Sequence, residues 1–60
     1  MQAIDVQEYA RKLRDARGDL AIPDAAQKAR DFEQQGDTKQ AQDWRRIEAA
    51  LRQMQGPHVS

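Results

Sequence analysis

The run Arg11-Lys12-Leu13-Arg14-Asp15-Ala16-Arg17 is the densest group of chemistry-bearing side chains in the sequence, and Arg45-Arg46 adds to it further on. Guanidinium and ammonium groups in such numbers can neutralise phosphates and release counterions. Arg11, Lys12, Arg14, Arg17, Arg45 and Arg46 are therefore the candidate phosphate contacts, and a nucleic-acid-binding regulator is the alternative function. Two features weigh against it. Ten basic and ten acidic residues cancel to a net charge of zero, so no general attraction to nucleic acid or anionic lipid follows. Helical spacing also scatters these side chains around the axis, which favours a solvated helix face.

Catalytic chemistry finds little to work with. His58 is the single histidine, and metal sites or proton relays need several groups held together. The hydroxyls of Tyr9, Thr38 and Ser60 have no His or Lys placed beside them by a motif. The closest carboxylate groupings, Asp31/Glu33 and Asp15/Asp19, are explained by capping and solubility. There is no cysteine, hence no disulfide and no thiolate metal site, and no glycine-rich phosphate loop. We expect no enzyme activity, no cofactor and no metal.

Trp44 is the remaining residue of note. With Ile47, Leu51 and Met54 it forms an apolar stripe, read either as core or as the candidate surface for a protein partner or a second copy. A buried indole removes about 150–250 Å² from water, about 4–6 kcal/mol before entropy, so core or dimer seam outweighs ligand stacking.

The elements that must position these groups are helices. Ala41, Trp44, Ile47, Leu51 and Met54 step by 3, 3, 4 and 3, which is helical spacing. Asp37 is placed to cap this helix and Gln40 completes a capping-box pattern, while Gly56 and Pro57 stop it. Gly36 fits the left-handed residue just past the preceding helix. At the other end, Asp5 and Glu8 form a D-x-x-E box, with Ile4 and Tyr9 as a hydrophobic staple, and Gly18 closes the first helix. Between them the register is open. Either Asp19 caps and Pro23 lies in the first turn, or residues 18–22 are a short linker and Pro23 opens the helix. The restriction that proline places on Ile22 favours the linker. Helix 2 offers Ala25, Ala26, Ala29 and Phe32, a face that lets a neighbour approach closely.

The segment Ala29, Phe32, Gly36-Asp37, Ala41, Trp44 and Ala50-Leu51 before Pro57 resembles part of a tetratricopeptide repeat. The resemblance covers roughly half of the chain and implies antiparallel helices joined by a very short turn. It departs from the family in two ways: the tryptophan falls in the second helix, and an array of about three units cannot fit. The whole chain also resembles small uncharacterised bacterial helical proteins, which implies no activity.

Sixty residues allow one domain, here 1–56, followed by a disordered tail, 57–60. The predicted fold is all-α: three helices near 5–17, 23–35 and 37–55 around Trp44, Leu51, Ile47, Phe32, Leu13 and Tyr9, in a hairpin or bundle with short Gly-Asp turns. With 38% hydrophobic residues the core is marginal, and homodimerisation is one way to complete it. The N-terminus lacks the features of a signal peptide, and no uninterrupted apolar run exceeds three residues, as in Leu20-Ala21-Ile22, far too short to span a membrane. A cytoplasmic protein-protein interaction module is the leading expectation.

Overall fold

The computed structural model describes residues 5–55, apart from the side chain of Gln55, and every regular element in it is helical. Helix α1 spans Val6–Arg17, a 3-10 turn covers Gly18–Leu20, α2 spans Ala21–Gln34 and α3 spans Thr38–Gln55. No strand occurs among the described residues.

Asp5 starts α1. Its backbone is extended (φ −83°, ψ 107°) and its Oδ1 accepts from the backbone N–H groups of Gln7 at 3.0 Å and Glu8 at 3.4 Å. That satisfies two of the donors a helix start leaves open. Ile4, the other half of the expected staple, lies outside the described residues, as do Gly56, Pro57 and the tail. Gly18 ends α1 at φ 59°, with its N–H donating to the Arg14 carbonyl.

The join between α1 and α2 differs from the sequence reading. Residues 18–22 are not a linker, and Asp19 makes no cap: no side-chain hydrogen bond caps either the 3-10 turn or α2. The chain turns at Gly18 (φ 59°, ψ −129°) and the 3-10 turn then runs straight into α2, so helical residues follow one another from 6 to 34 with no linker. The described chain thus has two stretches of consecutive helical residues, 6–34 and 38–55, where three helices separated by non-helical segments are expected from the sequence. Pro23 sits in the first turn of α2 and Ile22 is helical. Proline forfeits nothing there, because the first N–H groups of a helix have no intrahelical partner. The earlier start also buries Ala21, at 1% exposure, which outweighs the crowding at Ile22.

The second turn follows its sequence signals closely. Gly36 adopts φ 80°. The Asp37 N–H donates to the Phe32 carbonyl at 2.9 Å and the Gly36 N–H to the Glu33 carbonyl at 3.1 Å, the paired bonds of a Schellman end. Asp37 then caps α3: its Oδ1 accepts from the Gln40 N–H at 3.2 Å and its carbonyl from the Ala41 N–H at 3.0 Å. Three residues therefore reverse the chain, and α2 and α3 lie back to back as a hairpin.

Packing follows side-chain size. Ala21, Ala25 and Ala29 recur every fourth residue on α2 and are all buried, as are Ala41, Trp44, Ile47, Ala50 and Leu51 on α3 and Ala10 on α1. The alanine row lets α2 approach α3 closely, and this is the most extensive contact in the molecule. Helix α1 also packs on α3 but touches α2 little. Of the six core residues named from the sequence, Trp44, Ile47 and Leu51 are buried. Phe32, Leu13 and Tyr9 are half-buried at the margin of the cluster.

Candidate functional site

Because α1 and α2 rest side by side on α3 with little contact between them, a cleft remains along their seam. It has a volume of about 340 Å³ and is lined by Tyr9, Leu13 and Arg17 from α1, Asp24, Gln27, Lys28 and Asp31 from α2, and Trp44 beneath. Tyr9, Leu13 and Arg17 are spaced four apart, so α1 presents them as one row. Asp24, Gln27, Lys28 and Asp31 follow the i, i+3, i+4, i+7 pattern and form the facing row.

The floor is apolar and aromatic. Tyr9 meets Trp44 edge to face, with ring centroids 5.6 Å apart and planes at 89°, the geometry that sets a positive ring edge on a negative ring face. Trp44 is 7% exposed, so its indole is structural first and contributes only a margin to the cleft. The rim is charged and balanced. Arg17 Nε donates to Asp24 Oδ2 at 2.6 Å, tying the ends of the two helices together. Gln27 Nε2 donates to Asp31 Oδ1 at 3.0 Å. Lys28 is exposed and makes no ion pair among the described residues.

A second polar grouping lies on the other seam, between α2 and α3. The Arg45 guanidinium donates to both Glu33 oxygens, at 3.3 and 3.2 Å, and to Glu48 Oε1 at 3.2 Å. Arg52 donates to Glu48 Oε2 at 2.7 Å through Nη2 and at 3.3 Å through Nε. Glu48 is the one buried charged residue described. The hydrogen bonds from Arg52, reinforced by Arg45, hold its carboxyl below the usual glutamate range, against the opposing effect of burial. The same contacts raise Arg45, chiefly through Glu33. With every oxygen of Glu48 taken by a cation, this network holds the hairpin and has no free group for chemistry.

The residues picked from the sequence are thus distributed between several roles. Trp44, Ile47 and Leu51 are consumed by the chain's own core, leaving Met54, half-buried, as the accessible end of the stripe. Of the phosphate candidates, Lys12 pairs with Glu8 at 3.8 Å, Arg17 with Asp24, and Arg45 with Glu33 and Glu48. Arg11, Arg14 and Arg46 are exposed and make no ion pair among the described residues. Asp31 and Glu33 diverge, one to the cleft and one to Arg45. Thr38 is exposed at the start of α3, and His58 and Ser60 lie outside the described residues. Among the described residues no cluster of three His, Cys, Asp or Glu side chains could hold a metal ion, and no helix is long and apolar enough to cross a membrane.

The sequence reading missed both seams. The Arg45/Glu48/Arg52 spacing of three and four was visible as a helical ion-pair row. The cleft was not, since it depends on how far apart α1 and α2 come to rest. No family model, no curated protein and no solved structure matches this chain.

Proposed function

We propose that this chain is a small, non-enzymatic protein-protein interaction module that works in the cytoplasm and offers the α1/α2 cleft as its docking surface. One observation supports the reading: a cleft of about 340 Å³ with an aromatic and aliphatic floor and a rim of two cations and two carboxylates. Apolar floors ringed by polar groups are where interfaces concentrate their binding energy. A rim of balanced charge suits a protein surface better than a polyanion. We extend the proposal to self-association, so that the functional unit is a homodimer.

The experiment uses a blocking substitution. Gln27 is exposed on the rim, and Gln27→Trp fills the cleft without entering the core. A partner purified from native cells on the parent chain, then tested in isolation, should bind the parent and lose at least about ten-fold in affinity for Gln27→Trp. Equal binding by both chains would remove the cleft from the proposal.

A further inference from the structure

The three helices are fastened to one another unequally. Helices α2 and α3 share the alanine row, the two-pronged Arg45–Glu33 pair and the tight turn at Gly36. Helix α1 has less to hold it. Ala10 is its single buried residue among those described, Val6, Tyr9 and Leu13 are half-buried at the margin of the core, and it touches α2 little. Its polar tie to α2 is the Arg17–Asp24 pair at 2.6 Å, with both side chains partly exposed to water. An ion pair in that setting contributes little, so it fastens reversibly. The joint itself is free to turn. Gly18 stands at φ 59° and ψ −129°, a conformation open to glycine and strained for other residues. No side chain caps the 3-10 turn or the start of α2. A cavity of about 40 Å³ lies under the joint, with Gly18, Ala21, Ile22 and Leu51 among its walls.

We infer that α1 is a lid on the α2/α3 hairpin: it swings about Gly18, is latched by Arg17 to Asp24, and opens without unfolding the hairpin. An element with few buried apolar contacts opens at a lower free energy than the core it rests on. Opening takes the Tyr9 ring off Trp44, which it now meets at 5.6 Å between centroids, and so uncovers the indole. It also removes one wall of the cleft, because Tyr9, Leu13 and Arg17 all belong to the lid. The cleft therefore exists only in the closed form, and closure is what assembles it. The lid is independent of whether a partner docks in the cleft, since it follows from how α1 is held and not from what the cleft receives.

Native-state hydrogen exchange of the parent chain is the first test and needs no variant. The central α1 amides, Ala10 to Leu13, should be at least about ten-fold less protected than the central amides of α2 and those of Ile47 to Leu51. Arg17→Gln and Asp24→Asn should each raise α1 exchange by about two- to five-fold while central α2 and α3 keep the parent's protection. The Asp24 variant discriminates best, because the change is made in α2 and read in α1. If the two residues act as one latch, the double variant should be no worse than the more damaging single. Gly18→Ala has open space for its Cβ and so strains only the closed joint. It should raise α1 exchange by about ten-fold and let acrylamide reach Trp44 more readily. Equal protection of all three helices in the parent would overturn the lid, since α1 would then open only when the whole chain unfolds. Variants that speed exchange in all three helices together, or that leave α1 unchanged, would overturn it as well.

Discussion

At the scale of single residues, two side chains hold the fold and both serve from α3. Trp44 anchors the centre: it is buried, touches Tyr9 edge to face and shows only a margin to the cleft. Truncating a buried indole costs about 3–5 kcal/mol, while a 60-residue domain at typical values has only about 3–9 kcal/mol in all. Trp44→Ala should therefore lose most of its helical circular dichroism at 25 °C, and in the parent chain acrylamide should quench the indole far less than in urea. A parent indole quenched as freely as free tryptophan would contradict its burial. Glu48 is the second. A carboxyl depressed by folding contributes stability above its unfolded pKa and loses that contribution as pH falls through the folded value. Thermal melts should show Glu48→Gln about 1–2 kcal/mol less stable near neutral pH. The gap between parent and variant should narrow below about pH 4, as the parent's carboxyl takes up a proton. A constant gap from pH 7 to pH 2 would show that Arg52 and Arg45 do not act on the charge.

At the scale of elements, the turn between α2 and α3 and the alanine row beside it are what make a hairpin. Gly36 at φ 80° has open space where a Cβ would stand, so Gly36→Ala meets backbone strain and no clash. A cost of about 1–2 kcal/mol follows from the left-handed conformation alone. Asp37→Ala should cost about 1 kcal/mol through loss of the cap on α3. Urea titrations of the two variants measure both values, and an unchanged midpoint for Gly36→Ala would mean that the turn has another solution. Ala25 is 0% exposed. Ala25→Leu inserts a branched side chain between α2 and α3 and should destabilise by about 1–3 kcal/mol. No loss would show that the two helices are not in close contact at that point.

At the scale of the whole molecule, charges of both signs are interspersed over the surface. Among the described residues Arg17, Arg45 and Arg52 are held by Asp24, Glu33 and Glu48, while Arg11, Arg14, Lys28, Arg30, Lys39 and Arg46 make no ion pair. With a net charge of zero, the chain should pass through heparin without retention at about 50 mM salt, where counterion release most favours binding. Retention there would restore the nucleic-acid reading. The accessible area, 4217 Å², is close to the roughly 4,000 Å² that monomers of this mass expose. The chain buries Trp44, Ile47 and Leu51 within itself.

Local chemistry in the sequence was enough to determine much of the path of the chain. Asp5, Gly18, Gly36 and Asp37 act through bonds to residues at most four positions away, so each was readable without knowing what lies across the core. The Trp44-Ile47-Leu51 stripe was likewise readable from its period, as was the close fit expected of an alanine-faced second helix. What tertiary structure decided was everything settled by competition between distant surfaces. Pro23 and Ile22 are helical because burying Ala21 against α3 outweighs a local preference. The apolar stripe faces inward and not toward a partner, because α1 and α2 together cover it. The cleft exists because both helices rest on α3 and scarcely on each other, a spacing between separate elements that no periodicity in one of them encodes.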